Sequence, residues 1–234
     1  MGRTDNVEGI YRAALWTGTS LVDLGATTGN THSQATSVNN YGVVVGWSET
    51  RYTADPHATA WSSGEANPLG SWNYSVAHDI NESGKVVGYG CDSFPYAVPC
   101  FAVSWEGTTP IVLASLGEVE SVARAINGAG AIVGWSYTCD SSGICNYRAT
   151  LWEGSTVKDL NEFRTARALD WSLWYAKDIN DGGSIVGDAF NTVTGEWRAF
   201  LLTPLKDKKQ CRAGGWIAFD FASEVDCTQW LKGK

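Results

Sequence analysis

One eleven-residue phrase stands four times in this chain: VNNYGVVVGWS (38–48), INESGKVVGYG (80–90), INGAGAIVGWS (126–136) and INDGGSIVGDA (179–189). Such repetition limits the possible folds more than composition does, because a short unit cannot bury its own apolar face and must stack on copies of itself. Each copy continues a run that starts at Ala: ATSVNN at Ala35, AHDINE at Ala77, ARAING at Ala123 and AKDIND at Ala176, spaced by 42, 46 and 53 residues. A second phrase alternates with the first, as RAALW (12–16), HATAW (57–61), FAVSW (101–105), RATLW (148–152) and RAFLL (198–202), and further apolar runs such as LVDLG (21–25) follow it. One unit is therefore roughly 45 residues long with four strand-length pieces.

The turn chemistry identifies those pieces as strands. Asn40-Tyr41-Gly42, Glu82-Ser83-Gly84, Gly128-Ala129-Gly130 and Asp181-Gly182-Gly183 each follow an Asn and end in Gly, the residue that enters the left-handed region at little cost and closes a hairpin. The runs VVVG, KVVG, AIVG and SIVG are β-rich and too short for helices. The expected fold is all-β, a β-propeller of four-stranded antiparallel blades forming one domain over 1–234, most simply five-bladed, with a four-bladed ring as the alternative. The N-terminal strands (11–24) lack an inner hairpin and are expected to close the ring, and the tail (206–234) supplies possible closing strands.

His57-Ala58-Thr59-Ala60-Trp61 and its Arg-Ala variants, taken with the IN..G.VVG hairpins, resemble the HAF repeat of bacterial extracellular proteins over about residues 11–205. The Ala-Phe step itself stands only at Ala199-Phe200. The resemblance implies an extracellular location and a propeller-like repeat, and implies no particular activity.

Composition narrows the partners. A net charge of −8 disfavours nucleic acid and anionic membranes, which reward clustered Lys and Arg. No apolar run reaches the length of a membrane span, so a secreted monomer without a membrane span is expected. Six cysteines form the sequence-local couples Cys91/Cys100, Cys139/Cys145 and Cys211/Cys227, read as disulfides of an oxidising compartment, with other connectivities open. CxxC spacing is absent, and neither metal nor cofactor is expected.

Irregularity gathers on one loop face, where a working surface is expected. Of twelve Trp, Trp16, Trp61, Trp105 and Trp152 share one repeat position and read as wedges between blades. Trp47 and Trp135, with Tyr89 at the same position, end the second strand toward that face. Trp72, Tyr74, Trp171, Trp174 and Trp197 stand in non-repeating segments, as ligand contacts or as ordinary loop packing, and flat rings of this kind stack on the apolar faces of sugars. The residue after each repeated Ala varies as Thr36, His78, Arg124 and Lys177, and these either line a central entrance or hydrogen-bond neighbouring blades. The expected function is recognition of a carbohydrate or other small polar ligand. A polysaccharide hydrolase or lyase using Asp79, Asp178 or His78, with Asp188, Glu118 and Glu120 as further carboxylates, is the alternative, and a protein-interaction or adhesion module is the third. Asp178, Asn180 and Asp181 lack the downstream Glu of a calcium loop.

Overall fold

The computed structural model describes residues 2–5, 9–51, 55–70, 72–92, 99–117, 119–163, 170–205, 207–212 and 223–232. Among the described residues, eighteen strands form five antiparallel sheets, each a simple up-and-down meander. The first holds β1 (Gly2–Asp5), β2 (Tyr11–Thr17) and β3 (Ser20–Gly25). The second holds β4 (His32–Val38), β5 (Val44–Glu49), β6 (His57–Ser62) and β7 (Glu65–Pro68). The third holds β8 (Tyr74–Ile80), β9 (Val86–Cys91), β10 (Cys100–Glu106) and β11 (Thr109–Val112). The fourth holds β12 (Glu120–Ile126), β13 (Ile132–Cys139), β14 (Cys145–Glu153) and β15 (Thr156–Asp159). The fifth holds β16 (Trp171–Ile179), β17 (Ile185–Asn191) and β18 (Trp197–Leu202).

The repeated phrase is the hairpin joining the first two strands of the second to fifth sheets. Its first strand carries a bulge at the same place every time. The register slips between Ala35 and Ser37, Ala77 and Asp79, Ala123 and Ala125, and Ala176 and Asp178. The extra residue pushes a carbonyl toward the partner strand, which explains the glycine of every VVG step. A Cβ on Gly46, Gly88, Gly134 or Gly187 would lie 1.9 Å from the carbonyl oxygen of Gln34, Val76, Val122 or Tyr175. No side chain fits there.

Successive sheets are joined by hydrophobic burial and by repeated hydrogen bonds. Val45 and Ala58 of the second sheet pack against Ala77, Ile80, Val86 and Trp105 of the third, and equivalent clusters fill the spaces on either side. Trp61, Trp105 and Trp152 are at most 2% exposed and face back toward the preceding sheet. Trp16 departs from the expected wedge role and is 48% exposed, because no described sheet precedes the first. Leu202 takes the wedge position in the fifth sheet, pairing with Ile185 as Trp152 pairs with Ile132.

An asparagine ladder runs along the hairpin turns. Asn39 Nδ2 donates to Asn81 O (3.3 Å), Asn81 Nδ2 to Asn127 O (3.2 Å) and Asn127 Nδ2 to Asn180 O (3.2 Å). The Oδ1 of each of these asparagines accepts backbone N–H groups within its own turn, such as Ser83 and Lys85 for Asn81. Toward the other end of the strands, the amides of Ala13, Ala58 and Ala102 donate to Ser33, Ser75 and Ser121 Oγ of the following sheet. Both sets point from each sheet to the next.

Three disulfides join the local couples. Cys91–Cys100 and Cys139–Cys145 each link register partners of neighbouring strands, and Cys211–Cys227 ties a 3-10 turn (Lys208–Cys211) to α1 (Glu224–Lys232). The described part of the tail is a turn and a helix, with acidic Glu224 and Asp226 in the first helical turn. Residues 213–222, which include WIAFDFA, lie outside the described residues. The N-terminal strands belong to a sheet of their own with β1, and among the described residues they share no extensive packing with the fifth sheet. No described helix is long and apolar enough to cross a membrane.

Two substitution series test this account. Gly88→Ala should cost about 4 kcal/mol or more, whereas Gly84→Ala, at φ +81° with open space around it, should cost about 1–2 kcal/mol. Denaturant unfolding decides the order. Asn81→Ala should lose about 2–3 kcal/mol through broken bonds within and between turns, while Asn180→Ala, on the exposed last turn, should lose clearly less.

Candidate functional site

The bulge places the variable residues Thr36, His78, Arg124 and Lys177 outside the regular ladder, because each is the extra residue opposite its glycine strand. Two of them reach the next sheet in the same way. Thr36 Oγ1 donates to Ala77 O (2.8 Å), and His78 Nδ1 lies 2.7 Å from Ala123 O. Arg124 turns back, with NH1 3.1 Å from His78 Nε2. Lys177 pairs with Asp188 of its own sheet at 2.6 Å. Of the two roles expected for this set, hydrogen bonding to neighbouring sheets therefore describes Thr36, His78 and Arg124.

The fifth sheet has a second register slip, between Leu173 and Tyr175, with Trp174 as the extra residue. That slip brings Trp174 and Tyr175 together into an aromatic cluster at the junction with the fourth sheet. Seven rings take part: Trp135, Tyr137, Tyr147, Trp174, Tyr175, Phe190 and Trp197. Trp174 and Trp197 meet edge to face at 5.0 Å, and Tyr175 stacks parallel to Trp197 at 6.1 Å. Tyr147 lies 4.9 Å from Tyr175 and 5.2 Å from Trp135. Trp197 is half exposed, so the cluster presents aromatic surface to solvent.

Three of the sequence-predicted rings, Trp135, Trp174 and Trp197, are thus brought together. Tyr137, Tyr147, Tyr175 and Phe190 were missed as contacts. For Tyr147 a signal existed, because it precedes Arg148 as Trp197 precedes Arg198. The remaining predicted rings lie elsewhere. Trp171 sits beneath the Arg198 guanidinium at 5.4 Å. Trp47 meets Tyr11 edge-on at 6.0 Å between the first and second sheets. Tyr74 lies 6.0 Å from Tyr89, which lies 5.4 Å from His78. Trp72 packs into the core against Gly90, with its indole N–H buried and without a hydrogen-bond partner.

The predicted carboxylates separate by environment. Asp79 binds three sheets together: Oδ1 accepts from Ser37 Oγ (2.6 Å) and Ile80 N, and Oδ2 accepts from Ile126 N (2.9 Å). Both oxygens are engaged in holding the fold. Asp178 is exposed and accepts from its neighbour Ile179 N, while Asp181 accepts from Gly128 N in the preceding turn. Glu120 is half-buried, and burial raises its pKa above the ordinary carboxylate value. Burial first, then the neighbouring Tyr147 hydroxyl and the acids Asp188 and Glu120, pushes Tyr175 up to about 12. Tyr89 is raised in the same sense, by burial foremost. Glu118 lies outside the described residues.

Burial holds His78 neutral and lowers its pKa from 6.5 to about 4, against the opposing hydrogen bond to Ala123 and with help from the Arg124 charge. The folded value lies below the unfolded one, so between these values the unfolded chain takes up a proton that the folded protein refuses. Stability therefore falls as pH drops from 6.5 toward 4, by at most about 3 kcal/mol. Urea midpoints measured across this window should decline in wild type and flatten in His78→Gln. An unchanged slope in the variant would assign the acid sensitivity to other groups.

No protein-family model matches the chain, and no curated protein is significantly similar to it. The site is therefore interpreted from its own geometry.

Proposed function

We propose that this is a secreted β-propeller-type repeat protein that binds carbohydrate through the aromatic cluster around Trp174 and Trp197. The observation that carries the reading is that cluster, seven rings linked pairwise into one group with a half-exposed Trp197. Aromatic faces stack on the C–H faces of sugar rings, and two χ angles per ring keep the ordering cost low. Five meander sheets in sequence, each linked to the next by the asparagine and serine bonds, support the propeller reading. The three disulfides, with the resemblance to HAF repeats, support an extracellular location.

A second reading, hydrolysis of a glycosidic bond, draws on one observation. Glu120, kept more basic by burial, and Asp188, paired with Lys177, both act on Tyr175 beside the rings. Two carboxyls in different environments are the usual division into acid and partner.

A glycan microarray followed by calorimetry tests the first reading. Trp197→Ala should weaken binding of an array hit by about ten-fold or more with little change in melting temperature, because the ring is half exposed. Trp72→Ala should instead destabilise the fold. Binding of every hit unaltered by Trp197→Ala removes the proposal. Depolymerisation of a bound polysaccharide that is lost in Glu120→Gln, with binding retained, moves the assignment to the hydrolase.

A further inference from the structure

The Arg124 guanidinium is oriented without being neutralised. His78 Nδ1 lies 2.7 Å from Ala123 O, and because a carbonyl only accepts, Nδ1 carries the ring proton. The lone pair on Nε2 is then free to accept from Arg124 NH1 at 3.1 Å. A neutral imidazole spanning two sheets thus fixes the direction of an exposed cation. Several other cations have acidic partners: Lys177 with Asp188, Arg148 with Asp159, Arg198 with Glu196 and Lys85 with Glu106. Among the described residues no carboxylate lies within ion-pair distance of Arg124.

The choice of holder decides the chemistry. An Asp or Glu in the place of His78 would hold the guanidinium equally well and cancel its charge. With imidazole as the acceptor, the charge and the remaining N–H donors stay available, in the planar arrangement that takes a carboxylate through two parallel bonds. Tyr89, 5.4 Å from His78, and Tyr74 beyond it supply aromatic surface next to this group. The net charge of −8 gives an anion no long-range attraction, so recognition here has to be local and directional.

We propose that Arg124 anchors the carboxylate of an acidic saccharide, so that the protein recognises a uronate-containing glycan. This rests on the carbohydrate-binding reading above and specifies its ligand class. His78 acts as a positioning residue: it aims Arg124 and does not itself meet the ligand.

The test uses the full chain and calorimetry at neutral pH. The probes are oligosaccharides of galacturonate, glucuronate and mannuronate, each paired with its carboxyl-reduced neutral counterpart, plus a sulfated galactan oligosaccharide. At least one uronate oligosaccharide should bind about ten-fold or more tightly than its reduced partner. Arg124→Gln should bring the acidic ligand down to the affinity of the neutral one, and His78→Phe should shrink the preference while Arg124 remains. Circular dichroism confirms that each variant folds. Equal binding of acidic and reduced partners that still depends on Trp197 overturns the anchor and leaves the glycan reading standing. Preference for the sulfated probe over every uronate, or a preference that survives Arg124→Gln, also overturns it. Failure of every oligosaccharide to bind removes both readings together.

Discussion

The bulge in each inner strand is the constraint on which the rest of this molecule depends. In the second to fifth sheets one additional residue beside the repeated Ala drives a carbonyl into the space of a Cβ on the partner strand, and only glycine tolerates the contact. The same distortion takes the extra side chain out of the ladder. Thr36, His78, Arg124 and Lys177 thereby escape the packing that governs their neighbours, whereas the adjacent Ala35, Ala77, Ala123 and Ala176 stay buried. A single backbone feature thus produces a constant core position and a variable one, side by side.

Order along the array is maintained by bonds that always run forward. Asn39, Asn81 and Asn127 each satisfy their own turn through Oδ1 and donate through Nδ2 to the carbonyl of the next turn. The ends show what this continuity is worth. Val45, Val87 and Val133 are fully buried by a following sheet, but Val186 at the corresponding place is 43% exposed, as Trp16 is at the opposite end. The difference is one of neighbours, since the sheets themselves are alike.

The repeat itself was legible in the sequence because hairpin turns and wedge tryptophans obey local rules: Gly84 needs a left-handed backbone and Trp105 needs a full apolar pocket. The disulfides were legible because Cys91 and Cys100, like Cys139 and Cys145, flank one hairpin and become register partners. The aromatic cluster was only half legible. Trp174 and Tyr175 reach their places through a second slip confined to the fifth sheet, and a slip of one residue exchanges the faces of a strand. Pattern alone does not reveal where such a slip falls. Trp16 misled for a related reason, because repeat position implies burial only when another sheet lies behind it.

Asp79 shows how a repeat separates structure from function. Its carboxylate, at a position suggestive of catalysis, is wholly occupied in joining three sheets, whereas Arg124, one bulge further on, contributes only one identified bond to the fold. Residues that complete the inter-sheet network have few donors or acceptors left for a ligand. Of the residues that the bulge ejects from the ladder, Thr36 and His78 are drawn back into that network and Lys177 pairs with Asp188, whereas Arg124 makes a single hydrogen bond and has donors to spare. The functional surface of this protein is accordingly sought where the repeat is broken: at the ejected side chains and at the extra turn of register that gathers Trp174 and Tyr175 beside Trp197.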